Sequence, residues 1–596
     1  MREFGSPATY AVPASGNLTD DVVRNGTDHP GAVAFSVRRA DSWRDVTAAE
    51  FLAEVREVAG GLAGSGVEPG DRVALLASTR YEWTLLDYAI WFAGGVTVPV
   101  YATSTPGQTA EILADCGATA LVVETEEQLG RVRSVQHRLE ALEQVWCLEH
   151  GGVAELAEAG RAYPADDLEQ LRTAAGPQSL ATVVYTSGTT GPPRGCELTH
   201  GNFMFEVGAA LEELDDLFDA DDAATLLVLP LAHVFARVVQ VGAVRARVRL
   251  GHCTDVRRLG TDLRQFRPTF VLAVPRVFEQ VLKTAGKRAA ADGRRPRFDR
   301  AAESAIAYSR ALDAGRPGAL MRVRHAVYER LVYAGLREVW GGRCAYGVSG
   351  GAPLGDRLGH LYRGIGLPVL EGYGLTETTA AVTVNRPDAL KLGTVGRPIG
   401  GTTVRVADDG ELTVSGGQVT RGYWGDPSST AEVLAEDGWL RTGDLGEIDD
   451  EGFVRVTGRK TEILVTTGGK NVAPGLLEER IRAHPLVSQC MVVGDGRPFL
   501  AALVTVDEEV AAQWATARGK RPAVAALVHD RDLEQEIQTA VDDANKAVSQ
   551  AESVRRFVVL PVDWTEEDGL LTPSLKVKRN VVMSEFRHVV DDLYAR

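Results

Sequence analysis

From Asp71 onward the chain alternates between short apolar runs and longer amphipathic ones. RVALLAS reads as a buried strand, YEWTLLDYAIWFAGG as a helix, VTVPVYA as a strand, TPGQTAEILADCG as a helix and ATALVVE as a strand. The same order returns in TLLVLP, LAHVFARVVQVGAVRA, RVRLGH, DVRRLGTDLRQFR and TFVLAVP, without repetition of the sequence itself. Two such βαβαβ units predict parallel sheets with helices on both faces. Residues 281–345 turn helical and rich in Ala and Arg, with RRPR at 294–297 read as the loop between two helices. From Gly393 the period drops to two, and TTVRVADDGELTVSG, with Asp409-Gly410 as its turn, and LGEIDDEGFVRVTG predict a small antiparallel element. After Arg459 a mixed pattern begins: a helix at LLEERIRAH, the hairpin CMVVGDGRPFLAALVTV, a polar helix over 533–553 and a last helix over 583–595. The expected fold class is α/β, with a large N-terminal domain (1–458) of two doubly wound βαβ subdomains plus the antiparallel element. A smaller α+β C-terminal domain (459–596) follows, the boundary lying near Gly458 to Thr461.

At 596 residues the chain is too long for one core, which agrees with two or more domains. Its 44% hydrophobic and 24% charged content is that of a folded globular protein, which excludes disorder on a large scale. The formal net charge of -17 argues against nucleic acid as a partner, so any anionic ligand must be held by a local field. Residues 281–345 reverse the balance, with 14 Lys+Arg against 6 Asp+Glu, a local +8 that leaves -25 elsewhere. Two readings of that segment stay open: a surface for anionic lipid headgroups or a phosphorylated cofactor tail, and a solvated helical face. Cysteines 116, 147, 196, 253, 344 and 490 show no C-x-x-C and no clustered His, as in a reduced cytoplasmic protein without structural zinc. MREFGSPATYAVPASG lacks the apolar core of a signal peptide, and the longest apolar stretch, 88–101, is too short to span a bilayer. The expected location is cytoplasmic, with peripheral contact at the inner membrane face left open.

In VVYTSGTTGPPRG (183–195) a strand ends and hydroxyls and glycines crowd together. The stretch has too little side chain to pack and many donors, which suits a loop that wraps an anion, phosphate first. It is not the common nucleotide loop, since Arg194 precedes Gly195 and Cys196 follows where that pattern needs Lys and a hydroxyl. The chain also lacks G-x-G-x-x-G between a strand and a helix, the main support of a dinucleotide reading.

Four further stretches accompany this loop: SGGAPLG (349–355), EGYGLTETT (371–379), RTGDL (441–445) with VTGRKTEILVTTGGKNVAP (456–474), and LTPSLKVKRN (571–580). Together, in this order, they resemble the adenylate-forming (AMP-binding) superfamily, most closely its bacterial long-chain fatty acyl-CoA ligases. The resemblance implies ATP, Mg2+ and coenzyme A, with a fatty acid as substrate. A carboxylate would attack the α-phosphate to give acyl-AMP and pyrophosphate, and the thiol of coenzyme A would then displace AMP. Two anionic oxygens about 4 Å apart repel by about 4 kcal/mol at an effective dielectric near 20. Cations and aimed donors must offset that repulsion.

Carried over residue by residue, the resemblance gives Thr186, Ser187, Gly188, Thr189, Thr190 and Gly191 the β- and γ-phosphates, with Arg194 as the cation of that loop. Glu377 would bind magnesium and Thr376 contact the α-phosphate, both in the stretch that begins Glu371-Gly372, where Tyr373 would stack on adenine. Gly350, Gly351 and Ala352 would wall the adenine slot, and also suit a strand-to-helix turn. Asp444 would accept both ribose hydroxyls, supported by Arg459, and Thr461 falls at the family's hinge. Lys576 is the candidate catalytic lysine, with Lys578 as competitor and Leu575 where the family pattern has Gly. A mobile C-terminal domain would close to deliver Lys576, then rotate to bring Gly468 and Gly469 to a pantetheine tunnel. His233 has two readings, a residue beside the acyl channel and a structural histidine. Acyl length is not legible, because one methylene discriminates by only about 1–3 kcal/mol. Delivery to a carrier-protein thiol, or an aryl or medium-chain acid, is the alternative activity, and oligomeric state stays open between monomer and homodimer.

Overall fold

The computed structural model describes the chain except residues 41, 187–192, 219–221, 468–469, 551, 573–575 and 596. The first βαβαβ unit is present as read: strands Arg72–Leu76, Val96–Val100 and Ala120–Val123 pair in parallel through helices Tyr81–Phe92 and Pro106–Cys116. Helix Tyr81–Phe92 carries large apolar residues all round because every residue but Glu82 is buried. Helix Pro106–Cys116 shows how sequence sets its ends. Thr105 and Gln108 form a capping box, Pro106 occupies the first turn, and Gly117 closes it at φ 59°.

This sheet extends to seven strands, with Gln144–Cys147 at one edge and Leu180–Thr186, Arg194–Thr199 and Gly422–Tyr423 toward the other. It is not parallel throughout. Arg194–Thr199 runs antiparallel to Leu180–Thr186 because the connection between them is far shorter than a parallel crossover needs. The second unit, Ala224–Leu227, Arg249–His252 and Phe270–Ala273, forms the parallel centre of a nine-stranded sheet that continues through Tyr346–Ser349 to Val369–Tyr373. Antiparallel strands again close both edges.

A third, five-stranded antiparallel sheet contains the expected hairpin, Thr403–Val406 with Glu411–Ser415, turning at Gly410 with φ 85°. The amino-terminal strand Glu3–Gly5 completes that sheet, a pairing across some four hundred positions of sequence that local pattern does not disclose. Beyond residue 460, strands Val487–Val493, Leu500–Val506 and Val554–Val559 form a separate sheet with its own core around Leu477, Ile481, Leu533 and Ile537.

Three boundaries differ from the sequence reading. RRPR is not a loop: Arg294 precedes helix Arg295–Asp313, and Pro296 fits its first turn, where a missing N–H costs nothing. The polar helix spans Arg531–Asn545 and stops early because the Asn545 side chain pairs with both backbone groups of Val554, at 2.9 Å each. The last helix is two, Arg579–Glu585 and Arg587–Ala595.

The two large sheets are joined through helices Tyr81–Phe92 and Val234–Ala246 by a fully buried ion pair. Arg237 Nη2 donates to Asp87 Oδ1 at 2.6 Å, and Gln240 donates to Asp87 Oδ2 at 2.9 Å. The guanidinium lies against the rings of Trp83, Trp91 and Phe203. Burial pushes the Asp87 carboxyl up and the Arg237 guanidinium down, so the charges persist because each has the other. Asp87→Ala should therefore cost about 3–5 kcal/mol by stranding a buried guanidinium. Urea unfolding checks this, and a loss below about 1 kcal/mol would contradict it.

Candidate active site

The carboxyl ends of the parallel strands converge, as ligand-binding edges of α/β sheets do, on one cavity of about 1830 Å³. That exceeds the usual size of a single small-ligand pocket, so more than one substrate fits at once. Its wall brings together Thr186, Arg194, His233, Gly350, Gly351, Ala352, Glu371, Gly372, Tyr373, Thr376, Glu377, Asp444, Arg459 and Lys576. Ser187, Gly188, Thr189, Thr190 and Gly191 lie outside the described residues, as do Gly468, Gly469 and Leu575.

Thr186 ends its strand directly opposite Arg194. The exposed Arg194 guanidinium stands 5.6 Å from the ring centre of Tyr423. Tyr423 in turn donates its hydroxyl to Glu377 Oε1 at 2.8 Å. Glu377 sits on the 3-10 turn Thr376–Thr378, and its carbonyl accepts from Thr420 N at 2.8 Å, so both backbone and side chain are aimed. Among the described residues no three His, Cys, Asp or Glu cluster as a metal cage. A lone aimed carboxylate still fits Mg2+, which takes one or two carboxylates and completes its shell with phosphate oxygens and water.

Asp444 is 3% exposed and holds a corner between sheets. Its Oδ2 accepts from the Tyr373 hydroxyl at 2.7 Å and its Oδ1 from Arg459 Nε at 2.9 Å, on a residue directly opposite in the strand ladder. Each oxygen retains a further lone pair. Gly374 is obligatory beside this corner, since a Cβ there would lie 1.4 Å from the Ala380 carbonyl oxygen. Gly351, at φ 81°, makes the strand-to-helix turn after Tyr346–Ser349.

Lys576 is held by a local loop, its N–H donating to Thr572 Oγ1 at 3.0 Å and its carbonyl accepting from Thr572 N at 2.8 Å. Its side chain is open to the cavity yet surrounded by protein. Burial and the Arg459 charge lower its pKa, while Asp444 and Glu462 pull it back. No carboxylate among the described residues lies within ion-pair distance of it. The His233 imidazole, at the other side, is lowered to about 4 by burial and then by Lys576. His233 also caps helix Val234–Ala246, Nδ1 accepting from Phe235 N at 3.2 Å, so its two readings coincide. Lys576 thus lies between the Asp444 corner and the histidine. From there an apolar arm runs between helices His200–Glu213 and Val234–Ala246, lined by Val207, Leu211, Leu214, Phe218, Val239 and Leu272.

Two residues of the cavity wall escaped the sequence reading. Tyr423 ends the two-residue strand Gly422–Tyr423, with no sequence motif to mark it. Glu206 is buried in the cavity wall, Oε1 accepting from Ala381 N at 2.8 Å, and burial raises its pKa strongly. Its only signal was a lone acid inside the apolar run FMFEVGAA. Across the cavity mouth, Lys283 and Lys287 pair with Asp507 and Glu509 of the C-terminal segment.

The chain matches the AMP-binding enzyme family over residues 22–424 and the AMP-binding enzyme C-terminal domain over residues 461–596. It belongs to that family of adenylate-forming enzymes. Within it, the chain is 45% identical over 599 aligned positions, covering 100% of both chains, to Long-chain-fatty-acid--CoA ligase FadD15 of Mycobacterium bovis. Its fold is shared with the anthranilate CoA ligase AuaEII in complex with anthranoyl-AMP, at TM-score 0.73 and 19% identity over 96% of this chain and 98% of that one. It is shared also with the o-succinylbenzoate coenzyme A synthetase of Bacillus subtilis in complex with ATP and magnesium ion, at TM-score 0.69 and 20% identity over 94% and 98%.

Glu371 gives the site a pH signature. Burial pushes its carboxyl up to about 7, the Leu354 N–H opposes this, and Glu479 of the C-terminal segment adds to it. The folded protein therefore keeps a proton that the unfolded chain releases near 4.5. The stability associated with that proton is fully present below the unfolded pKa and is lost as pH rises through about 7. Glu371→Gln should flatten this component. Melting temperatures at about pH 5 and about pH 8 test it, and equal losses in the two proteins would exclude the assignment.

Proposed function

We infer that the protein is an ATP-dependent long-chain fatty acid:CoA ligase, forming acyl-AMP and pyrophosphate and then acyl-CoA and AMP. The observation that carries this is one continuous cavity in which an aimed carboxylate, a buried acceptor corner and a lysine without a carboxylate partner among the described residues open onto an apolar arm. Full-length similarity to a long-chain-fatty-acid–CoA ligase supports the same substrate class.

In this reading Asp444 and Arg459 take the ribose, Tyr373 and the backbone of Gly350, Gly351 and Ala352 take the adenine, and Glu371 and Gly372 belong to that wall. Thr186, Arg194 and the residues between them take the outer phosphates. Glu377, oriented by Tyr423, would hold Mg2+, which when bound neutralises phosphate charge. Lys576 brings a cation to the point where the acyl carboxylate and the inner phosphate meet, offsetting their mutual repulsion. Thr376 supplies a hydroxyl there. His233 borders the entrance to the arm, where each buried methylene adds about 0.8 kcal/mol of affinity. Residues 459–596 act as a lid that delivers Lys576, and Gly468 and Gly469 line the approach of coenzyme A after the lid turns.

Purified protein should release pyrophosphate with a long-chain fatty acid and ATP, and form acyl-CoA only when coenzyme A is added. No fatty acid-dependent pyrophosphate across chain lengths would end the reading. Lys576→Ala should lower adenylation about 10²- to 10³-fold while ATP binding persists. Tyr423→Phe should raise the magnesium concentration for half-maximal rate by about tenfold, since it frees Glu377 from its orienting partner. An unchanged magnesium dependence would remove Tyr423 from this role.

A further inference from the structure

The helical run Ala319–Tyr328, continued by Glu329–Tyr333 and Ala334–Val339, packs on helix Arg295–Asp313, whose Phe298, Ala302 and Ile306 line the cavity. No residue of Ala319–Tyr328 is buried. Leu320 is 84% exposed, Val323 62%, Val327 50% and Leu331, in the next turn, 55%. Steps of three and four place them on one face, as a continuous apolar stripe in water. Large apolar side chains scattered singly are ordinary, whereas a contiguous stripe marks an interaction site.

The charge around the stripe selects the partner. Between Asp313 and Glu329 there is no acidic residue. Those two acids are already occupied, Asp313 by Arg363 and Glu329 by Arg337. Arg316, Arg322, Arg324 and Arg330 are exposed, with no carboxylate in ion-pair distance among the described residues. A chain of net charge -17 thus presents, at one place, an apolar stripe flanked by Arg324, four positions after Leu320, and Arg330, three after Val327, neither paired with a carboxylate among the described residues. The surface is a convex helix rather than a groove, so it suits insertion into a soft boundary better than capture of a peptide.

We propose that this helix docks the protein on an anionic lipid bilayer. Leu320, Val323, Val327 and Leu331 enter the boundary between headgroups and acyl chains, and the arginines meet lipid phosphates. The helix beneath it is a wall of the cavity, so docking holds that wall against the lipid. The proposal stands apart from the ligase reading, because it concerns a surface and not the reaction.

Cosedimentation of the full-length protein with vesicles tests it, using one part phosphatidylglycerol to three parts phosphatidylcholine against phosphatidylcholine alone. Binding is expected on the anionic vesicles and should weaken as salt screens the arginines. Each arginine near such a surface is worth about fivefold in partitioning, so Arg324→Glu with Arg330→Glu should lose at least about 25-fold. The triple variant Leu320→Ser, Val323→Ser, Val327→Ser should lose binding comparably, and both should keep the wild-type melting temperature because no buried contact is touched. Val323→Trp should show a blue-shifted emission on the anionic vesicles. Absence of vesicle binding, or binding that both variants leave intact, overturns the proposal. So does a dimer in sedimentation velocity that both variants dissociate while vesicles bind nothing, which would assign the stripe to a second copy.

Discussion

A carboxylate that is 3% exposed cannot stand alone, and Asp444 organises the cleft around that requirement. It draws the Tyr373 hydroxyl from the nine-stranded sheet and the Arg459 guanidinium from the neighbouring antiparallel strand. A strand pair whose partners are 15 positions apart and a strand 71 positions earlier are thereby held at one corner. Burial first and then Arg459 lower Lys576 while Asp444 opposes them, and burial first and then Lys576 lower His233. The polar half of the cavity runs from Asp444 past Lys576 to His233, and its apolar half begins beyond the histidine.

Much of this was legible before the fold was known, for definite reasons. Both βαβαβ units follow from runs whose period and length admit one assignment, and the hairpin at Asp409-Gly410 from a turn that only glycine makes easily. Asp444 and Glu377 stand in stretches with glycine and hydroxyl residues, where little can pack and much can bind, and Lys576 stands in a short basic run. What stayed hidden depends on distance. Tyr423 matters only because its strand lies beside Cys196, which brings the hydroxyl to Glu377. The strand Glu3–Gly5 has a meaning only through Thr403–Val406. The end of the helix at Asn545 is decided by Val554, nine positions later.

Exposure is the other quantity that periodicity cannot supply. The alternation in Ala319–Tyr328 matches that of a helix packed on a core, yet the stripe faces outward and no residue of the helix is buried. Residues 281–345 were ambiguous in sequence for this reason: charge shows a preference of partner, and only the fold shows which apolar side chains accompany it.

The pairs between Lys283 and Asp507 and between Lys287 and Glu509 join the C-terminal segment to the body through side chains roughly a third to two-thirds in water. Such contacts contribute about 0–1 kcal/mol apiece and fade as dissolved ions accumulate. These two links between the parts are consequently shallow, and by themselves they would set only a low toll on any parting of the one from the other.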